Sequence, residues 1–113
     1  MHEVSLIESV LALVEQERRK QAFARVNVIR LRVGVLGCAE PSALQFCFDA
    51  VTAGTIAQGA LLEIEPVPGA GWCADCQRTV PLAERFGACP LCEGARVRMT
   101  DGDALCLAEM EVE

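Results

Sequence analysis

The chain has 113 residues, enough for one compact core and a small appendage but not for two large domains. Hydrophobic residues make up 52% and charged residues 23%, which is too apolar for a disordered chain. Ten Lys and Arg against sixteen Asp and Glu leave a formal net charge of −6, the wrong sign for a general nucleic-acid binder and a balance that favours basic partners.

The first element is an amphipathic helix over Val4 to Lys20, with Ile7, Leu11 and Val14 in one row and Leu6, Val10 and Leu13 beside it. Arg18, Arg19 and Lys20 suit the negative end of its dipole. Val26 to Val35 changes to period two, with Ile29, Leu31, Val33 and Val35 on one side and Arg30 and Arg32 on the other, the pattern of a half-buried strand. Gly34, Gly37 and Pro41 punctuate the next stretch, and Pro41 suits the first position of a second helix because its missing N–H needs no partner there. Leu44, Cys47, Phe48 and Val51 carry the helical rhythm, and Gly54 is placed to end it. Leu61 to Val67 and Leu105 to Val112 read as strands with Glu63, Glu65, Glu109 and Glu111 outward.

Residues 68–103 lose this periodicity and hold eight glycines and prolines. The expected architecture is an α/β (α+β) body, residues 1–67 and 104–113, with a small three-stranded sheet and two helices. Residues 68–103 form a zinc-ribbon-like insert. The longest purely apolar run, Val10 to Val14, is too short to cross a bilayer, so no membrane partner is expected. The start Met1, His2, Glu3 has neither a basic stretch nor a small-residue cleavage site, so a cytoplasmic location is expected.

Two C-x2-C pairs, Cys73/Cys76 and Cys89/Cys92, stand twelve residues apart. Each is a chelating turn, and together they offer four thiolates at the corners of a tetrahedron, the geometry of a structural zinc site with no open position for water. Iron also accepts an S4 tetrahedron, and two disulfides are the remaining reading, disfavoured in a reducing compartment. With Trp72, Leu82, Phe86, Leu91 and a few further apolar groups, the insert cannot stabilise itself, whereas zinc contributes on the order of 10 kcal/mol to such modules. Cys38, Cys47 and Cys106 read as small buried hydrophobes. Over residues 69–103 four arginines face five carboxylates, so the insert offers phosphates little attraction, and no aromatic ladder is present for nucleic acid.

His2 is the single histidine. That removes Ser/His/Asp and Cys/His catalysis, and no G-x-x-x-x-G-K-[ST] or G-x-G-x-x-G turn occurs, so an enzyme is not expected. The second position has its own chemistry. The amine of Met1, the backbone nitrogen of His2 and its imidazole can close consecutive five- and six-membered chelate rings, and Glu3, by backbone or side chain, or a partner can add a fourth in-plane donor. Square-planar nitrogen ligation selects nickel(II) or copper(II) over zinc. The alternative is a solvated terminal side chain without a ligand role.

Taken together, Met1, His2 and Glu3, then Leu36, Gly37, Glu40, Pro41, Phe46, Phe48, Gly54, Thr55, Gly59 and Ala60, then Cys73/Cys76 and Cys89/Cys92, closely resemble the HypA/HybF family, nickel metallochaperones of nickel-iron hydrogenase maturation. The similarity runs through to Glu111, Val112 and Glu113. It implies nickel(II) as cargo, held by His2, the amine of Met1 and the backbone of Glu3, and structural zinc on Cys73, Cys76, Cys89 and Cys92. It also implies two partners, a hydrogenase maturation GTPase and the hydrogenase large subunit that receives nickel. Monomer and homodimer both remain open. Amines and imidazoles, with reference pKa values of roughly 7.7–8.0 and 6.5, must lose their protons to bind metal, so acid is expected to release nickel. The competing readings of the residues are a zinc-ribbon module that binds nucleic acid or joins transcription, and an iron-thiolate electron carrier. Neither accounts for the Met-His-Glu start.

Overall fold

The computed structural model describes residues 2–113. Helix α1 (His2–Lys20) begins two residues earlier than the apolar rhythm indicates. Glu3 in the first turn favours the positive end of the helix, and the cations of the last turn favour the other end. Strand β1 (Val26–Gly34) comes next, then helix α2 (Pro41–Thr52) and strand β2 (Leu61–Val67). Pro41 opens α2 as expected, and Glu40 caps it, its carboxylate accepting from the backbone N–H and hydroxyl of Ser42. Thr52 ends α2, two residues before Gly54, which takes φ +78°.

The insert contains three short strands that apolar periodicity does not indicate, β3 (Ala70–Cys73), β4 (Arg78–Pro81) and β5 (Val97–Asp101). Strand β6 (Leu105–Val112) completes the chain. Two three-stranded sheets result, ordered β2-β1-β6 and β4-β3-β5. In the second, β3 pairs antiparallel with both neighbours, Cys73 lying opposite Arg78 on one side and Val97 on the other.

The chain divides into two compact units. One holds the chain up to Arg32, Ala39–Glu65 and Cys106–Glu113; the other holds Val33–Cys38 and Pro66–Leu105. In the first unit, Ile7, Val10 and Val14 of α1 and Leu44, Cys47 and Phe48 of α2 are buried with Ile29, Leu31 and Leu62 of the sheet. The outward charges of that sheet pair across strands, Arg30 contacting Glu63, Glu109 and Glu111 while Arg32 faces Glu65. This explains why the alternating glutamates tolerate one another on a surface with few cations.

Sequence pattern places residues 33–38 with the body, but they group with the insert, and the contacts give the reason. Leu36 donates its N–H to Gly102 and accepts from the Arg85 guanidinium, both at 2.8 Å. Gly34 is present because backbone passes there: a Cβ on it would lie 2.2 Å from the Gly102 carbonyl, while Gly102 itself takes φ +97°. Gly34→Ala is therefore expected to cost about 1–3 kcal/mol, as overpacked sites do, measured by urea denaturation of the metal-loaded chain; unaltered stability would show that the two backbones can separate.

Two side-chain expectations fail. Cys47 is buried, but Cys38 and Cys106 are exposed: the first lies in the connection before α2, and the second lies on β6, an edge strand. Val35 is exposed because β1 stops at Gly34. Among the described residues, no helix is long and apolar enough to cross a membrane.

Candidate metal centres

The sulfurs of Cys73, Cys76, Cys89 and Cys92 come together, all within 4.8 Å of one another. The backbone that gathers them repeats. In each knuckle the residue after the second cysteine, Gln77 or Glu93, takes a left-handed φ of 52° or 61° and returns its N–H to the carbonyl of the first cysteine at 2.8 Å. In each, the first sulfur accepts a backbone N–H at 3.4 Å, from Cys76 onto Cys73 and from Leu91 onto Cys89. Such donors favour thiolate over thiol.

Geometry then tests the fit of a metal. A tetrahedron with metal–sulfur bonds of roughly 2.3 Å has sulfur–sulfur edges of about 3.8 Å. Cys73 and Cys92 stand 3.7 Å apart, and Cys76 and Cys89 stand 3.9 Å apart. Without a cation the four groups oppose one another. Hydrogen bonding to Cys92 and burial push the Cys76 thiol up to about 12. Burial also works against the Cys89 thiolate, but backbone N–H groups of Cys92 and Leu91 outweigh it and bring that thiol down to about 7. A divalent ion resolves the conflict by stabilising all four thiolates. Beside the cluster, Arg96 pairs with Asp75 at 3.0 Å and Ala74 donates to the Arg96 carbonyl, tying the first knuckle to the chain beyond the second.

Apolar support is sparse. Around the sulfurs, one buried cluster comprises Cys73, Val80 and Cys89, with Cys76 and Val97 packed against it, so three of its five members are clustered cysteines. Of the apolar side chains singled out in the insert, Leu82 is buried, while Trp72 and Leu91 are partly exposed and Phe86 is 98% exposed.

The second candidate centre is the start of α1. Met1 lies outside the described residues. His2 is exposed, with its Nδ1 3.6 Å from a Glu3 carboxylate oxygen. The same Glu3 oxygen lies 3.4 Å from the backbone N–H of Glu40, so the first turn of α1 is tied to the cap of α2. Glu3's own N–H, and after it that of Glu40, hold its carboxyl below the usual range. The first N–H groups of a helix have no intrahelical acceptor, so the backbone nitrogens of His2 and Glu3 are available without breaking a helical hydrogen bond. The helix start at Pro41 is legible in the sequence, but the approach of Glu40 to Glu3 is not.

Residues 1–112 match the family model described as "Hydrogenase/urease nickel incorporation, metallochaperone, hypA". The chain belongs to the HypA family. It is 70% identical over 113 residues to the hydrogenase maturation factor HypA of Methylocella silvestris and 51% identical over 113 residues to that of Dechloromonas aromatica, covering all of each protein. Its fold matches the solution structure of the Ni metallochaperone HypA from Helicobacter pylori, with a TM-score of 0.72 at 23% identity over 97% of this chain and 96% of that one. A second HypA solution structure gives a TM-score of 0.73 at 24% identity, over 100% and 97% of the two chains. HypA proteins are metallochaperones acting in hydrogenase maturation, not enzymes, which agrees with the absence of catalytic constellations from the sequence.

Proposed function

We propose that this HypA chain captures nickel(II) with the amine of Met1, the backbone nitrogen and imidazole of His2, and Glu3, and releases it by ligand exchange to a docked partner. Cys73, Cys76, Cys89 and Cys92 hold a structural zinc ion. The observation that carries the nickel reading is the arrangement at the helix start: an exposed imidazole beside backbone nitrogens without helical acceptors, with the Glu3 carboxylate poised between His2 and the cap of α2. Family membership supports nickel as cargo. Four sulfurs at tetrahedral spacing support zinc, which accepts that geometry without redox chemistry. The partners are a maturation GTPase, which supplies the nucleotide hydrolysis this chain has no phosphate loop for, and the hydrogenase large subunit, met in the cytoplasm as monomer or homodimer.

Calorimetric titration of the zinc-loaded chain tests this reading, with one nickel bound per chain and protons released. Glu3→Gln is expected to weaken nickel about tenfold, as loss of a supporting carboxylate does, and to leave zinc content unchanged. Unaltered affinity would remove the Glu3 side chain from the site. The Glu3 carboxylate, held first by its own backbone N–H and then by that of Glu40, also has a pH signature. Its folded pKa lies below the ordinary value of 4.5, so its stabilisation is fully present above that value and is lost as pH falls through the lowered one. In Glu3→Gln this acid-dependent component should vanish from the denaturation profile.

A further inference from the structure

The four clustered sulfurs differ in access. Cys73 and Cys89 are 0% and 1% exposed, Cys76 is half-buried, and Cys92 is exposed. A reagent in solution therefore meets Cys92 first. The sulfur standing 3.7 Å away is that of Cys73, in the other knuckle. Cys92 sits in a turn outside any strand, before Glu93 and Gly94, so it can shift without breaking a ladder, whereas Cys73 is fixed at the end of β3. Closing the pair to a disulfide bond length of roughly 2.05 Å therefore falls to the Cys92 turn rather than to the strand.

We infer that Cys92 is an oxidation site for hydrogen peroxide, and that its oxidation closes a disulfide to Cys73 and expels the zinc. The inference rests on the zinc reading above, because zinc holds its ligands as thiolates and the thiolate is the nucleophile. In the first step the Cys92 sulfur attacks one peroxide oxygen: the S–O bond forms, the O–O bond breaks, hydroxide leaves, and Cys92 becomes a sulfenic acid. In the second the Cys73 thiolate attacks that sulfur: the S–S bond forms, the S–O bond breaks, and a second hydroxide leaves. Two electrons pass from the sulfurs to peroxide, and zinc keeps its oxidation state. Cys76 and Cys89 alone then remain to hold it, half of the four ligands a structural zinc site requires. Cys38 and Cys106, exposed but outside the cluster, are the internal controls.

The test uses the full reduced chain, shown to carry one zinc, exposed to one equivalent of hydrogen peroxide in the presence of a chromogenic zinc chelator. Disulfides are mapped by mass spectrometry as zinc appears. The expected result is zinc release in step with a Cys73–Cys92 disulfide, slowed at least tenfold in Cys92→Ser. Should that variant not hold zinc, pulsed alkylation of the unaltered chain serves instead, with Cys92 expected to be labelled first of the four. A first disulfide within one knuckle, labelling of another clustered cysteine ahead of Cys92, or oxidation of Cys38 and Cys106 with zinc retained would overturn the inference and leave the zinc reading standing. Absence of zinc from the starting protein would overturn both.

Discussion

Replacing Cys73 with serine, or stripping the metal with a chelator, is expected to melt strands β3, β4 and β5 while α1 and α2 hold. Three of the five residues in one buried cluster of that unit are clustered cysteines, Phe86 is almost fully exposed, and Trp72 and Leu91 leave much of their surface in solvent. Ordering each residue costs roughly 1–2 kcal/mol in backbone entropy, a demand that Val33, Leu36, Val80, Leu82 and Val97 cannot offset. Zinc supplies on the order of 10 kcal/mol to modules of this kind. Cys73 is the most consequential of the four cysteines to lose because it ends β3, the central strand of its sheet, and accepts the N–H that sets the first knuckle. Amide hydrogen exchange should show protection in residues 70–81 and 97–101 falling to that of an unfolded segment. The helices keep theirs, since Ile7, Val10, Val14, Leu44 and Phe48 belong to the other unit. Protected insert strands in metal-free protein would mean that side-chain packing is sufficient there.

The second large effect belongs to His2. His2→Ala removes the imidazole and with it the six-membered chelate ring, leaving an amine and a backbone nitrogen. Loss of an outer-shell partner already costs about 10–100-fold in metal affinity, and a direct ligand should cost at least the upper end. Zinc content and thermal unfolding are expected to stay at wild-type values, because the His2 side chain is exposed and its contact is with Glu3 alone among the described ion pairs. One added residue before Met1 should have a comparable effect on nickel by converting the amine into an amide. Stoichiometric nickel of wild-type affinity in either protein, read by calorimetry, would take the helix start out of the site.

The range of each interaction decides whether it is legible in the sequence. Helix α1, strand β1 and helix α2 declare themselves because each buries one side against a core, so Ile7, Val10 and Val14, or Ile29, Leu31 and Val33, recur at the period of their element. Strands β3 and β4 have four residues each, and the core side of β3 is occupied by Gly71 and Cys73, so no apolar alternation betrays them. Cysteine spacing points to the four-sulfur cluster because a C-x2-C turn is local. The accessibility of each sulfur and its pairing across knuckles depend on folding. The need for glycine at position 34 arises from Gly102, and the tie at Glu3 arises from Glu40, 37 residues away. Exposure of Cys106 likewise comes from the place of β6 at a sheet edge, which strand order determines and composition does not.

Nickel-edge X-ray absorption of untagged, zinc-loaded protein with one equivalent of nickel tests the division of labour between the two centres most directly. Nitrogen and oxygen neighbours including an imidazole, with no sulfur, are expected from ligation at Met1, His2 and Glu3. Sulfur scattering in the nickel shell, with zinc displaced from Cys73, Cys76, Cys89 and Cys92, would contradict it.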